Sequence, residues 1–314
     1  MSIKMPAEQA SLFQLQQTPV DEVLNIIDQG LVHLPSYREL YNRWERQQWR
    51  TQDIDFVPDR IQWEGLPDEE REEHLAGLAA FFQGEASVTD ALAPYVIAMP
   101  DEEMRFFVTT QLVDESRHTI FFDRFFKEVM GIDQGKIEDN LAYARRYMNA
   151  DMRYILIDAL EEIAERLRQE PRNLASLIEG VCLYHVIVEG TLALAGTRAL
   201  LETYRQNNMF PAFRGGFTAV ARDESRHVVF GVKFLRDMIR HDPSNALIIQ
   251  ETIAIYAPLA LSALMPSDEA IDAMLEQQRD PWITPRYAQE SLRKKLKVIG
   301  LHMDLSMIPP SPSL

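Results

Sequence analysis

DESRH, residues 223 to 227, repeats the five residues found at 114 to 118. Each copy contains Glu-x-x-His, so on a helix the carboxylate and the imidazole share one face. A single such tetrapeptide is weak, because chance and surface ion pairs produce it often. Two copies prompt a search for further donors, and an anomaly lies upstream of each. Glu189 sits in VIVEGTLALAG, residues 186 to 196, with Val186, Ile187 and Val188 before it and Leu192, Ala193 and Leu194 after it. Glu85 sits in a similar setting within GLAAFFQGEASV, residues 77 to 88. An unpaired carboxylate buried in such a helix costs several kcal/mol or stays protonated. Alone, either glutamate reads as a helix-surface charge. Together they call for a shared partner.

Glu85 lies 30 residues before Glu115, and Glu189 lies 35 before Glu224. Gaps of that size fit a helix, a turn and a return along the next helix. Each isolated Glu then comes back to the level of its Glu-x-x-His. The chain thus holds two pseudo-equivalent helix pairs, which supply Glu85, Glu115, His118, Glu189, Glu224 and His227. Di-metal carboxylate bundles of the ferritin-like kind use that ligand set. Oxygen donors suit iron and manganese, a carboxylate can bridge two ions, and imidazole adds a borderline nitrogen donor. A purely structural polar network is the alternative use of the same residues.

The 314 residues allow one large domain or two smaller ones, and 46% hydrophobic with 25% charged residues is ordinary for a globular chain. A formal net charge of −16 opposes nucleic-acid and anionic-membrane partners. Cys182 is the only cysteine, so neither a disulfide framework nor a thiolate metal site is available. The N-terminal MSIKMPAEQASLFQLQQ lacks the apolar core of a signal peptide, and no run is expected to span a membrane. The expected location is therefore cytoplasmic. Leu66 to about Val96 reads as one helix, with Pro94 as its kink or end. Residues 99 to 131 form a second, 136–168, 172–206, 216–240 and 244–264 four more, and 284–299 a last short one. No alternating strand of useful length occurs. The expectation is all-α: an arm over residues 1–35 with one short helix, then one helical-bundle domain over 36–314.

WRTQDIDFVPDRIQWEGLPDEER, residues 49 to 71, and ARDESRH, residues 221 to 227, carry a family resemblance. They resemble the opening segment and second ligand helix of the ribonucleotide reductase small-subunit superfamily. The similarity runs from about Trp49 to about Gly231. It implies that Trp49, Asp223 and His118 form that family's hydrogen-bonded series. An acid behind a ligand histidine also fixes the tautomer. Asp114 is either the pseudo-symmetric partner of His227 or a solvated helix acid.

Three positions depart from the standard small subunit. Phe122 stands one turn after His118, where the family carries its radical-bearing tyrosine. Glu85 stands where most small subunits have aspartate, and HMDLSMIPPSPSL, residues 302 to 314, does not resemble their docking tail. A manganese/iron small subunit without the tyrosine shares the first two departures. The chain is more similar to the ligand-binding oxidases of the superfamily, which bind a long-chain carboxylic acid at a manganese/iron centre. They also join a valine to a tyrosine by an ether link. Val88, three residues after Glu85, and Tyr184, five before Glu189, match the offsets of that pair. DESRH at 114–118 is not that group's usual wording.

The resemblance implies a dioxygen-activating di-metal oxidase, Mn/Fe or Fe/Fe, that oxidises unactivated C–H bonds. It would bind a fatty-acid-like or similar apolar ligand and form a homodimer. Glu85, Glu115 and His118 would hold one ion and Glu189, Glu224 and His227 the other, with Glu115 and Glu224 bridging. The rival readings are a monooxygenase acting on a diffusible small molecule, a radical-generating reductase subunit, and a ferritin-like metal-handling protein. Gly84 and Gly190 read either as close packing or as space beside the metals. The FF pairs at 81–82, 106–107 and 121–122 read as apolar walls or core, and His33, His74, His185, His241 and His302 as polar core or rim.

Overall fold

The computed structural model describes residues 7 to 305; residues 1–6 and most of the C-terminal stretch compared above, 306–314, lie outside it. The described residues form helices and no strand. Four long helices hold the centre. Helix α1 (Asp68–Ala98) starts after Pro67 with Asp68, Glu69 and Glu70 in its first turn, where acids favour the positive helix end. Helix α2 (Glu102–Glu128) is capped by Asp101, whose carboxylate accepts the N–H groups of Glu103 and Met104. The short link between them makes the pair antiparallel. Helices α3 (Leu174–Gln206) and α4 (Pro211–His241) form the second pair.

Several elements differ from the sequence expectation. Helix α1 does not stop at Pro94: it continues to Ala98, because Leu92 and Tyr95 on either side are buried in the core. One lost backbone bond is outweighed by that packing. Region 136–168 is broken into Ile137–Ala144, a 3-10 turn, Ala150–Arg153, a π turn and Ala159–Gln169. The break falls at Asn149, whose side chain caps the N–H of Met152. Within α3, Cys182–Ala193 is a π-helix, in which Thr191 Oγ1 donates to the Val186 carbonyl at 2.7 Å.

The N-terminal segment read as an arm carries a 14-residue helix, Val20–His33, which buries Val23, Leu24 and Ile27 and packs on α4. A Cβ at Gly30 would lie 2.6 Å from Val229 Cγ2, so the two helices touch there. Two helices, Leu174–Gln206 and Asn245–Ala263, are long and apolar enough to cross a membrane by length and composition alone. In the first, 89% of the apolar window is buried within the bundle, which accounts for its hydropathy.

The N-terminus of α4 is held from outside. Asp59, on the Val57–Glu64 helix, accepts the N–H groups of Ala212 at 2.9 Å and Phe213 at 2.6 Å. Burial pushes its carboxyl up to about 6, against the lowering effect of these two bonds and Arg214. The folded value exceeds the unfolded value of about 4, so folding takes up a proton. Asp59's contribution is therefore full below about pH 4 and declines as the pH rises through about 6. Asp59→Ala is expected to lose about 1–3 kcal/mol, seen as a lower urea midpoint at unchanged slope. The deficit should shrink as the pH is raised from about 4 to about 7.

Candidate metal centre

The bundle brings the six predicted donors to one level: Glu85 from α1, Glu115 and His118 from α2, Glu189 from α3, Glu224 and His227 from α4. They form two groups, Glu85–Glu115–His118–Glu224 and Glu115–Glu189–Glu224–His227. In each group one donor atom per residue lies within 4.8 Å of the others. Glu115 and Glu224 belong to both, the arrangement that two bridging carboxylates require. His118 Nδ1 is 3.2 Å from Glu85, 3.5 Å from Glu115 and 3.3 Å from Glu224. His227 Nδ1 is 3.1 Å from Glu189, 3.2 Å from Glu115 and 3.5 Å from Glu224. Each imidazole thus turns Nδ1 towards the carboxylates.

Burial and mutual repulsion work against the charges of this cluster. Burial pushes Glu85 up to about 8 and Glu189 well above the carboxylate range. Burial also opposes charge on His118 and His227, but the surrounding carboxylates hold both well above the usual histidine range. Glu189 Oε2 and Glu224 Oε2 are buried without a hydrogen-bond partner, an expensive state that a cation removes. An oxygen-rich donor set with two imidazoles and no thiolate fits a pair of manganese or iron ions.

Behind the histidines lie two matching series. Trp49 Nε1 donates to Asp223 Oδ2 at 2.7 Å, and that oxygen is 3.4 Å from His118 Nε2. Trp44 Nε1 donates to Asp114 Oδ1 at 2.9 Å, and Asp114 Oδ2 is 3.2 Å from His227 Nε2. Each aspartate therefore serves the histidine of the other DESRH. Arg226 pairs with both, 2.9 Å from Asp114 Oδ2 and 2.9 Å from Asp223 Oδ1, and Arg117 also contacts both. Asp114 is buried and is no solvated helix acid.

Tyr184 would point about 140° away from Glu189 on an α-helix. The π-helix stacks residues five apart and puts both on one side. Tyr184 Oη donates to Glu115 Oε1 at 2.7 Å. Gln111, absent from the sequence reading, donates to Tyr184 Oη at 3.0 Å and to Glu189 Oε1 at 3.2 Å. Its own Oε1 lies 3.1 Å from Nε2 of His185, which burial pushes down to about 3 and so keeps neutral. The signal for Gln111 was its position one turn before Glu115. Trp44 gave none, since its partner is 70 residues away.

Val88 and Tyr184 line a groove of about 450 Å³ between α1 and α3 that reaches all four glutamates. Phe81, Leu156, Val188 and Leu200 make apolar walls, and His74 and Tyr204 stand at the far end. Of the FF pairs only Phe81 lines it; Phe82, Phe107, Phe121 and Phe122 are core, and Phe106 is exposed. A Cβ on Gly84 would meet only Leu156, at ordinary contact distance (3.7 Å), so packing does not require glycine there. On Gly190 it would meet Lys295 Cε and the His185 carbonyl, each at 2.7 Å, so packing does.

The family described as ribonucleotide reductase, small chain, matches residues 32–257. Solved structures of R2-like ligand-binding oxidase share the fold. A valine-to-isoleucine variant with anaerobically reconstituted Mn/Fe cofactor matches with TM-score 0.72 and 24% sequence identity, over 84% of this chain and 93% of that one. The same four figures hold for a glycine-to-leucine variant with non-activated Mn/Mn cofactor and a tyrosine-to-phenylalanine variant with aerobically reconstituted Mn/Fe cofactor. At that identity the likeness is one of fold.

Loading with manganese and iron is expected to place about two ions in each chain and to release protons. Elemental analysis and a pH indicator measure the two effects. Glu115→Ala should lose the metal; retention of both ions would remove Glu115 from the donor set.

Proposed function

The chain belongs to the ribonucleotide reductase small-chain family, and we propose that it is a dioxygen-using di-metal oxidase acting on unactivated C–H bonds. The groove carries this reading: an apolar passage that ends on the four carboxylates, with Val88 and Tyr184 in its lining. In the proposal Glu85, Glu115 and His118 hold one ion, Glu189, Glu224 and His227 the other, and Glu115 and Glu224 bridge. Mn/Fe is favoured by likeness to the oxidase structures, and Fe/Fe suits the same donors. When bound, the ions supply the electrons and the oxidising power that dioxygen chemistry at a strong C–H bond demands.

The remaining work belongs to the side chains. Asp223 and Asp114 hold the Nε2 protons of His118 and His227, which leaves each Nδ1 lone pair for a metal. Gln111 orients the Tyr184 phenol so that its proton points at Glu115 Oε1. Phe81, Val188 and Leu200 exclude water and favour an apolar chain. From His74 to Glu85 the groove follows eleven residues of α1, about 16 Å of helix, a length that suits a long-chain carboxylic acid. Phe122, buried among Phe82, Phe213 and Phe217, has no hydroxyl to oxidise, which disfavours a conventional radical-generating subunit. The family resemblance adds a cytoplasmic homodimer.

The test is a Val88–Tyr184 ether. The C–H of valine and the O–H of tyrosine lose two hydrogens, a C–O bond forms, and the two electrons and two protons go to dioxygen. Peptide mapping after aerobic Mn/Fe reconstitution is expected to find the two peptides joined, lighter by two hydrogens. Anaerobic protein and Tyr184→Phe should lack the link. Separate peptides from fully metallated, aerobically treated protein would move the monooxygenase on a diffusible substrate ahead.

A further inference from the structure

The groove between α1 and α3 is polar at both ends and apolar between them. Tyr184 and the four clustered glutamates stand at one end, and Glu73, His74, Thr203 and Tyr204 at the other. Between the ends, Thr197 is the only polar side chain among the described lining residues. The first end is the metal centre. The second has no task in the chemistry proposed above. A simple fatty acid with its carboxylate at the metals would leave its terminal methyl there. Glu73 and Thr203 are exposed, so that end opens to water. A methyl placed against those polar groups gains little burial and displaces water that they could hydrogen-bond.

The second end is built around one imidazole. Tyr204 is fully buried, and its Oη lies 3.3 Å from His74 Nδ1. Burial raises the phenol's pKa, so it keeps its proton, and it makes no other hydrogen bond among the described residues. The phenol therefore donates to Nδ1, which leaves the proton of the neutral imidazole on Nε2. The ring packs edge-on against Tyr204 and Phe210, with centroids 5.3 Å and 5.6 Å away. Burial holds His74 below the usual histidine range, against the pull of Glu70 and Glu73, so it stays neutral. Its Nε2–H has no partner among the described residues, and the ring lines the groove.

The charge around this donor narrows what it can meet. Glu70 and Glu73 make its surroundings negative, so a second carboxylate would be repelled. An ammonium would set donor against donor. A hydroxyl suits both neighbours, since its oxygen accepts from Nε2–H and its proton is free for Glu73 or water.

We propose that the groove takes a chain that is polar at both ends, a long-chain ω-hydroxy acid, and that His74 Nε2–H is the donor that selects its hydroxyl. Placing the carboxylate at the metals rests on the di-metal oxidase reading. Tyr204 acts through His74 and is a positioning residue. The span of about 16 Å along α1 sets the length, which extended ω-hydroxylauric acid matches.

Calorimetric titration of zinc-loaded full-length protein with lauric acid, ω-hydroxylauric acid and dodecanedioic acid tests this. Zinc is redox-inert, so no oxidation accompanies binding. The hydroxy acid is expected to bind about three- to tenfold more tightly than lauric acid, the range of one neutral hydrogen bond. The diacid should bind more weakly than the hydroxy acid. His74→Phe should abolish the preference for the hydroxyl and leave lauric acid bound at least as well. His74→Gln, whose amide still donates, should keep part of the preference, and Tyr204→Phe, which frees the tautomer, should weaken it. Each readout is a ratio of two affinities in one variant, which a merely structural role would not move. No preference in the parent, a preference that survives His74→Phe, tighter binding of the diacid, or no binding of any probe overturns the proposal. If the ratios hold while reduced Mn/Fe protein consumes no dioxygen, the oxidase reading has failed and the His74 site stands. If the Val88–Tyr184 ether forms and the ratios are flat, the oxidase reading stands and the site is lost.

Discussion

Four carboxylates at one level of a helical bundle repel one another, and no arrangement of apolar side chains around them can change that. The chain meets this constraint in two ways. Within the cluster, the imidazole Nδ1 atoms of His118 and His227 sit against three carboxylates each, and cations would take over the neutralising role of their protons. One layer further out the same problem recurs, because Asp114 and Asp223 are also buried. There the charge is cancelled permanently. Arg117 and Arg226 each contact both aspartates, so the outer layer is a closed set of two acids and two guanidiniums.

This explains why DESRH repeats as a pentapeptide rather than as Glu-x-x-His alone. On each helix the Glu and His face the cluster, while the Asp and Arg serve the outer layer. The aspartate of each copy serves the histidine of the other, so α2 and α4 are tied together by crossed charge pairs at the level of the donors. Removing one member of such a buried set leaves its partners uncompensated, which costs far more than a surface ion pair is worth. The outer layer therefore fixes the rotation of α2 against α4, and with it the facing of the two imidazoles.

How much of this could be read in the chain depends on how far each feature is fixed by local rules. The clustering of the six candidate donors was legible because metal chemistry suggests residue type and helical geometry dictates spacing. Asp223 behind His118 came from the family likeness, while Trp44 behind Asp114 is a contact across 70 residues that no local pattern announces. The pitch of α3 was hidden too, since a π turn has no composition of its own. An α-helical reading placed Tyr184 on the wrong side of Glu189 although the residue itself was chosen for its offset. The helix Val20–His33 was read only as the one short helix of an arm, not as part of the packed bundle. Val20, Val23, Leu24, Ile27 and Leu31 carry an apolar stripe at helical spacing, and the signal was there to be used.

The two nitrogens of each imidazole also divide the site in space. Nδ1 faces the carboxylates, and beyond them lies the groove between α1 and α3, towards which Glu85 and Glu224 keep side-chain exposures of 11% and 15%. Nε2 faces Asp114 and Asp223, whose side chains are at most 1% exposed, and beyond them lie the tryptophans. A small molecule can therefore reach the carboxylates along the groove, while the other side is filled by hydrogen-bonded side chains and rings. The two faces of the same histidines look onto different surroundings, an apolar groove on one side and a hydrogen-bonded layer of acids and rings on the other. The histidine tautomer, held by an aspartate on each side of the pseudo-symmetry, is the part on which that separation turns.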